Sequence, residues 1–248
     1  LETLGGRFIK KTISESVLAN LTEADRFFEA KKYDKAIPLY LRVLRNARLT
    51  RQTPKAGKRL SFCYARSSRF LYAATVAGFL ADLFPESEHT ATALLQSSAF
   101  MYENAKGNTE GDAEGDILMK DAMHIWDKFV EIAPQHSKAP EIAFLIAEQH
   151  YGKARSMAGR AAKESEPEKR EELTDRTRRQ FKEAVPYYER LIHNFADTTK
   201  GTRAYFKLGW IYLNLGRPYK AAEMFRQYAR LEINPENAED RIRSLFYA

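Results

Sequence analysis

The 248-residue chain is 44% hydrophobic and 29% charged with a formal net charge of +7, a globular composition that excludes a disordered tail. A single cysteine, Cys63, excludes an internal disulfide framework and a thiolate metal cluster. The longest apolar stretch, Phe70 to Leu83, is interrupted by Thr75, Gly78 and Asp82 and falls short of the roughly 18 residues of a membrane span.

Helix formers dominate, strand-type alternation is absent, and Gly and Pro cluster at a few points, which predicts helices joined by short turns. Two helices that cross closely need small residues at the crossing. Five such pairs occur in chain order: Ala24 with Ala36, Ser61 with Ala73, Ser98 with Ala122, Ala147 with Ala184, and Gly209 with Ala221. Each second-helix Ala is followed four and seven positions on by a further apolar residue, Tyr40 and Val43 in the first case and Phe225 and Tyr228 in the last. From each second-helix Ala to the next small residue the step is 25 residues throughout. Within pairs it is 12, except for 24 in the third and 37 in the fourth, so insertions are confined to hairpin tips. This predicts hairpins over about 14–47, 54–84, 87–133, 138–195 and 199–232 with a capping helix over 235–247.

Along these elements, Lys35 to Ala81 contains ten basic residues and no acid. Arg42, Arg45, Arg48, Arg51, Arg59 and Arg69 form a candidate basic patch for an acidic protein segment, anionic lipid or nucleic acid, or a solvated face. Arg42, Arg45 and Arg48 also suit the carbonyl end of a helix. Ser87 and Ser137 are expected N-caps, and Ser165 with Glu168 an expected capping box. Pro38 and Pro186 share one repeat position, and the second is expected to bend a long helix. Asn234-Pro235 is expected to open a helix whose Ile242, Leu245 and Phe246 cover the last hairpin.

Catalytic chemistry has no foothold. The five histidines show no three- or four-residue pairing for zinc, and no phosphate-binding Gly loop or nucleophile elbow occurs. Glu110 to Asp121 parallels a calcium loop, but Glu opens it and Asp121 replaces the bidentate Glu, so it reads as an acidic insertion. No cofactor is expected.

Arg203 to Glu232, with Leu208, Gly209, Tyr212, Gly216, Ala221 and Phe225, resembles a tetratricopeptide repeat. The connectors Phe84-Pro85-Glu86-Ser87, Ala133-Pro134-Gln135-His136-Ser137 and Phe195-Ala196-Asp197-Thr198 resemble the junction of a longer variant. That variant occurs in bacterial envelope proteins such as the outer-membrane assembly lipoprotein and the Tol-Pal-associated periplasmic protein. Ile233, Ala196 and Arg48 depart from it by replacing the junction Pro. The resemblance implies a right-handed, all-α solenoid of five hairpins plus a capping helix, with a concave surface built by the first helices.

Carrying over the pocket-facing positions selects Lys55, Lys58, Phe62 and Arg66 in the second hairpin and Leu95 and Tyr102 in the third. It selects Phe144 and Tyr151 in the fourth, and Phe206, Trp210 and Asn214 in the fifth. The implied function is a non-catalytic adaptor binding a protein partner, a peptide or acidic segment, in an envelope assembly or the cytoplasm. The Lys-Asn set that clamps a chaperone tail is broken by Leu21, Asp25, Lys58 and Phe62. Two other readings stay open: a nucleic-acid-binding repeat using residues 42–69, and an accessory domain of a larger enzyme. A start at Leu1 without a signal pattern is expected of a matured product or a segment of a longer chain.

Overall fold

The structure, a computed structural model, describes residues 2–4, 7–9, 14–47, 49–106, 113–231 and 237–248. They form eleven helices and one short hairpin in two compact units, residues 1–133 and 134–248. In unit 1, β1 (Glu2–Leu4) pairs antiparallel with β2 (Arg7–Ile9). It precedes α1 (Glu15–Glu29), α2 (Tyr33–Asn46), α3 (Thr53–Arg66), α4 (Phe70–Leu83), α5 (Glu88–Lys106) and α6 (Ala113–Ile132). Unit 2 contains α7 (Ala139–Lys163), α8 (Pro167–Phe195), α9 (Thr199–Asn214), α10 (Pro218–Leu231) and α11 (Ala238–Tyr247). Consecutive helices pack as hairpins, α1 with α2 through α9 with α10, which is the all-α repeat-solenoid class.

The register follows from the small residues. Ala24, Ala36, Ser61, Ala73, Ser98, Ala122, Ala147, Ala184, Gly209 and Ala221 are all buried. Ser61 shows how near the helices come, since its hydroxyl donates to the Ala73 carbonyl at 3.0 Å. A Cβ on Gly209 would stand 2.5 Å from the Phe225 ring, so glycine is required there by space. The positions four and seven after each second-helix Ala are also buried: Tyr40, Val43, Ala77, Leu80, Trp126, Phe129, Tyr188, Leu191, Phe225 and Tyr228. Each large side chain of this stripe stabilises the fold by about 1.5–3 kcal/mol through lost apolar exposure.

The three tight hairpins share a turn. Lys31, Ser68 and Gly216, each seven residues after the small first-helix residue, adopt φ of 56°, 57° and 68°. The next N–H closes the helix onto the carbonyl five residues back: Lys32 to Phe27, Arg69 to Tyr64 and Arg217 to Tyr212, at 2.8–2.9 Å. In the fourth hairpin the insertion lengthens both helices, to 25 and 29 residues. Ala154, Ala161, Thr177 and Phe181 are buried along this extension.

Several local expectations are corrected. Strand pairing does occur, in Glu2–Ile9, where a Gly-Gly pair between two short β-rich runs is a hairpin signal. Glu166, not Ser165, stands at the N-cap position of α8, without a side-chain cap, because Pro167 takes the first helical position. Lys138 rather than Ser137 precedes α7, and it gives no side-chain cap. Hydroxyl caps occur at Ser14, accepting from the Val17 N–H at 3.4 Å, and at Thr198, accepting from Gly201 at 3.1 Å, while Ser87 stands directly before α5 as expected. Pro38 and Pro186 lie exposed within α2 and α8, the second deep inside the longer helix as its place in the sequence predicts.

Helix α11 does not cover the last hairpin with the expected face. Ile242, Leu245 and Phe246 are 68%, 59% and 84% exposed, whereas Ser244 is buried. Tyr247 packs on Trp210 and Phe225 at 5.3 and 5.8 Å, and the Arg241 Nε donates to the Ala229 carbonyl at 3.1 Å. Contact with the last hairpin is thus made by residues 241, 244 and 247, of which Ser244 alone is buried, while the apolar stripe faces solvent. Asn234-Pro235 lies outside the described residues, as do Arg48 and the start of the Glu110 to Asp121 loop.

Candidate partner-binding surfaces

In unit 1, α3 packs beside α1 on one side and α5 on the other, so three first helices lie together. One stripe of α3 carries Lys55, Lys58, Phe62 and Arg66 at helical spacing. Phe62 is half-buried, its ring 5.6 Å from Phe28 of α1 and 5.9 Å from Phe100 of α5, with Tyr33 at 5.9 Å. An aromatic row thus crosses all three helices. The Arg66 guanidinium lies 5.9 Å over the Phe100 ring. Lys55 and Arg66 are exposed and Lys58 half-buried, and no carboxylate pairs with any of them among the described residues. His89, at the start of α5, registers these cations. Burial first, then Lys58, push its imidazole below its ordinary pKa; Glu88 opposes them, and Lys55 and Arg59 add smaller pushes in the same direction as Lys58.

The remaining basic residues separate into two groups. Arg59 is only 19% exposed and reaches out of its own hairpin to Asp25 at 2.6 Å and Glu29 at 3.0 Å, lying 4.9 Å over the Phe28 ring. Arg69 pairs with Asp34 at 3.3 Å. The acid-free run therefore draws its counter-charges from α1 and the start of α2. Arg42 and Arg45 stand exposed on the last turns of α2, and Arg51 is exposed in the connector to α3. Arg48 is outside the described residues. Tyr102 of α5 packs with Trp126 at 4.8 Å against the cluster of Met101, Ala105, Leu118 and Ala122, and Leu95 is half-buried.

In unit 2, the side chains singled out from the sequence are mostly held by neighbours. Phe144 is buried, with its ring 6.2 Å from Tyr188. Tyr151 contacts the rings of Phe181 and Tyr188 and takes the Lys207 ammonium over its ring at 4.8 Å. Phe206 packs on Phe225 and Tyr228, while Trp210 sits between Phe225 and Tyr247 of α11. Asn214 is exposed and donates to the Trp210 carbonyl at 2.8 Å.

A second polar arrangement has no local sequence signal. The Tyr40 hydroxyl and Arg59 both bind the Asp25 carboxylate, each at 2.6 Å. In unit 2 the Tyr188 hydroxyl donates to Glu148, which also holds Lys207 at 2.8 Å. Both sets use one repeat code: the acid follows the small residue, the tyrosine stands four after the second-helix Ala, and the cation two before the next small residue. Burial, reinforced by the neighbouring carboxylate, drives both phenols far above their ordinary pKa and keeps them as donors. These sets tie adjacent hairpins and are partly buried.

Among the described residues no group of three acid, His or Cys side chains could hold a metal, and no helix is long and apolar enough to cross a membrane. The Cys63 thiol is fully buried and pushed up to about 12 by desolvation, so it acts as a small hydrophobe.

Residues 202–236 match the tetratricopeptide repeat model. No curated protein sequence matches the chain. The chain is similar to a thermophilic TPR protein of Thermus thermophilus at 16% identity and a TM-score of 0.38, covering 93% of this chain and 98% of that one. It is likewise similar to a tetratricopeptide repeat protein of Parabacteroides merdae at 13% identity and a TM-score of 0.40, covering 94% and 100%. The matched residues hold Gly209, its partner Ala221 and the Gly216 turn, so the chain carries a tetratricopeptide repeat over residues 202–236 within an all-α array of helix hairpins.

Proposed function

We propose that the chain is a non-catalytic scaffold that seats a segment of a protein partner on the first-helix face of unit 1. One observation carries this reading. Lys55, Lys58 and Arg66 stand along α3 without a carboxylate partner among the described residues, beside a half-exposed aromatic row, while their neighbours Arg59 and Arg69 are neutralised by the fold. Cations left unpaired next to apolar rings suit a partner that supplies acid and apolar side chains together. The tetratricopeptide match supports protein recognition as the class of activity. Tyr102, Tyr151, Phe206 and Trp210 are half-buried and held by ring contacts with their neighbours, and Asn214 is exposed. The connector resemblance supports a bacterial envelope assembly as the setting.

The test is affinity capture with the wild-type chain and with the double variant Lys58→Glu/Arg66→Glu, after circular dichroism has shown equal helicity. Loss of the captured protein from the variant is expected. Recovery of the same protein in equal yield would remove this face from the interface.

A further inference from the structure

The spacing of the unpaired cations also specifies the chemistry of the segment, on the reading that unit 1 holds a protein partner. Lys58, Phe62 and Arg66 are four residues apart on one stripe of α3, so the two cations are separated by roughly 12 Å with the ring midway. An extended peptide advances about 3.3 Å per residue and turns alternate side chains to one side, so it covers that distance in about four residues. We infer that the partner segment is an extended stretch of the form acid-x-apolar-x-acid lying along α3. Its acids meet Lys58 and Arg66, and its apolar side chain rests on Phe62.

Three observations support the match. The two terminal cations lack acidic partners among the described residues, and Lys55, one turn before Lys58, adds a third charge at the same end. Phe62 is braced by Phe28, Tyr33 and Phe100, which makes it a fixed floor for an aliphatic side chain. The same bracing argues against a nucleic-acid strand, whose bases need free aromatic plates and whose affinity needs a longer run of unpaired cations. Arg59, which would extend the run, is already bound to Asp25 and Glu29.

The experiment measures fluorescence anisotropy with the full chain at low salt and three labelled peptides flanked by Gly-Ser. The peptides are Glu-Ser-Leu-Ser-Glu, its permutation Glu-Glu-Leu-Ser-Ser, and Lys-Ser-Leu-Ser-Lys; a single-stranded oligonucleotide is the fourth probe. The alternating peptide is expected to bind about tenfold more tightly than the permutation, and Lys58→Glu and Arg66→Glu each to lose about tenfold. Equal affinity for the two acidic peptides, insensitivity to both variants, or binding of the oligonucleotide alone overturns the inference. Should the spacing fail while the double variant still loses its captured protein, the scaffold reading stands and only the acid-x-apolar-x-acid form is lost.

Discussion

Arg59 belongs to the second hairpin, yet its guanidinium lies 2.6 Å from the Asp25 carboxylate of the first, the same oxygen that accepts the Tyr40 hydroxyl at 2.6 Å. Asp25→Ala strips the acceptor from the fully buried Tyr40 and leaves Arg59 with Glu29 alone, and is expected to destabilise unit 1 by about 2–3 kcal/mol. Tyr40→Phe removes one hydrogen bond and keeps the ring, so a loss of about 1 kcal/mol is expected. Urea denaturation of the two variants gives the ordering directly. Equal effects would mean that Arg59 gains nothing from Asp25.

The shared left-handed turn separates positions that look alike in sequence. Lys31 and Ser68 occupy φ near 57° with side chains that disfavour it, whereas the equivalent residue of the last hairpin is Gly216. Lys31→Gly and Ser68→Gly are expected to stabilise by up to about 1 kcal/mol each, visible as a raised thermal midpoint. Gly216→Ala should lower it.

Glycines in the helices divide by the space around them. Gly209→Ala drives a methyl into the Phe225 ring and is expected to cost about 1–3 kcal/mol. Gly152 and Gly159 have nothing within 4 Å of an added Cβ and lie inside α7, so alanine there is expected to stabilise by about 0.5–1 kcal/mol. Denaturant midpoints for the three variants check both signs.

His89 gives unit 1 a pH dependence with a definite sign. Its folded pKa lies below the ordinary value of 6.5, so between the two the unfolded chain binds more protons. The stability associated with His89 is therefore full above pH 6.5 and declines as pH falls below it. His89→Gln is expected to flatten the stability profile in that window, and Lys58→Gln to raise the imidazole pKa in an NMR titration. An unchanged pKa in Lys58→Gln would remove Lys58 from the causes of the shift.

The exposed face of α11 predicts tolerance where the sequence suggests a core. Ile242→Ser and Phe246→Ser are expected to change stability by less than about 0.5 kcal/mol, because both side chains already stand in solvent. Tyr247→Ala, which strips the cover from Trp210 and Phe225, is expected to cost more than either. Thermal melts of the three variants distinguish a cap from a loose helix.

The sequence revealed what close packing demands locally. Ala24, Ala36 and their counterparts had to be small because the helices touch there, and Tyr40, Tyr188 and Phe225 followed from helical spacing. It hid what depends on partners far away in the chain. The acids that neutralise Arg59 and Arg69 stand 30 to 35 residues upstream, so an acid-free run looked more open than it is. Trp210 meets Tyr247, 37 residues on, a contact with no local sign in the sequence. The apolar stripe of α11 gives no sign that its contacts to the last hairpin run through Arg241 and Tyr247 instead, whose partners Ala229, Trp210 and Phe225 lie at least 12 residues upstream.

The central claim concerns where the partner sits, and site-specific photocrosslinking tests it most directly. A photoreactive residue is placed at Lys55 or Arg66 on α3, and at exposed Tyr219 on α10 as the comparison. The account predicts a crosslinked protein from the α3 positions, abolished by Lys58→Glu, and none from Tyr219. Crosslinks from Tyr219 with none from α3 would contradict it.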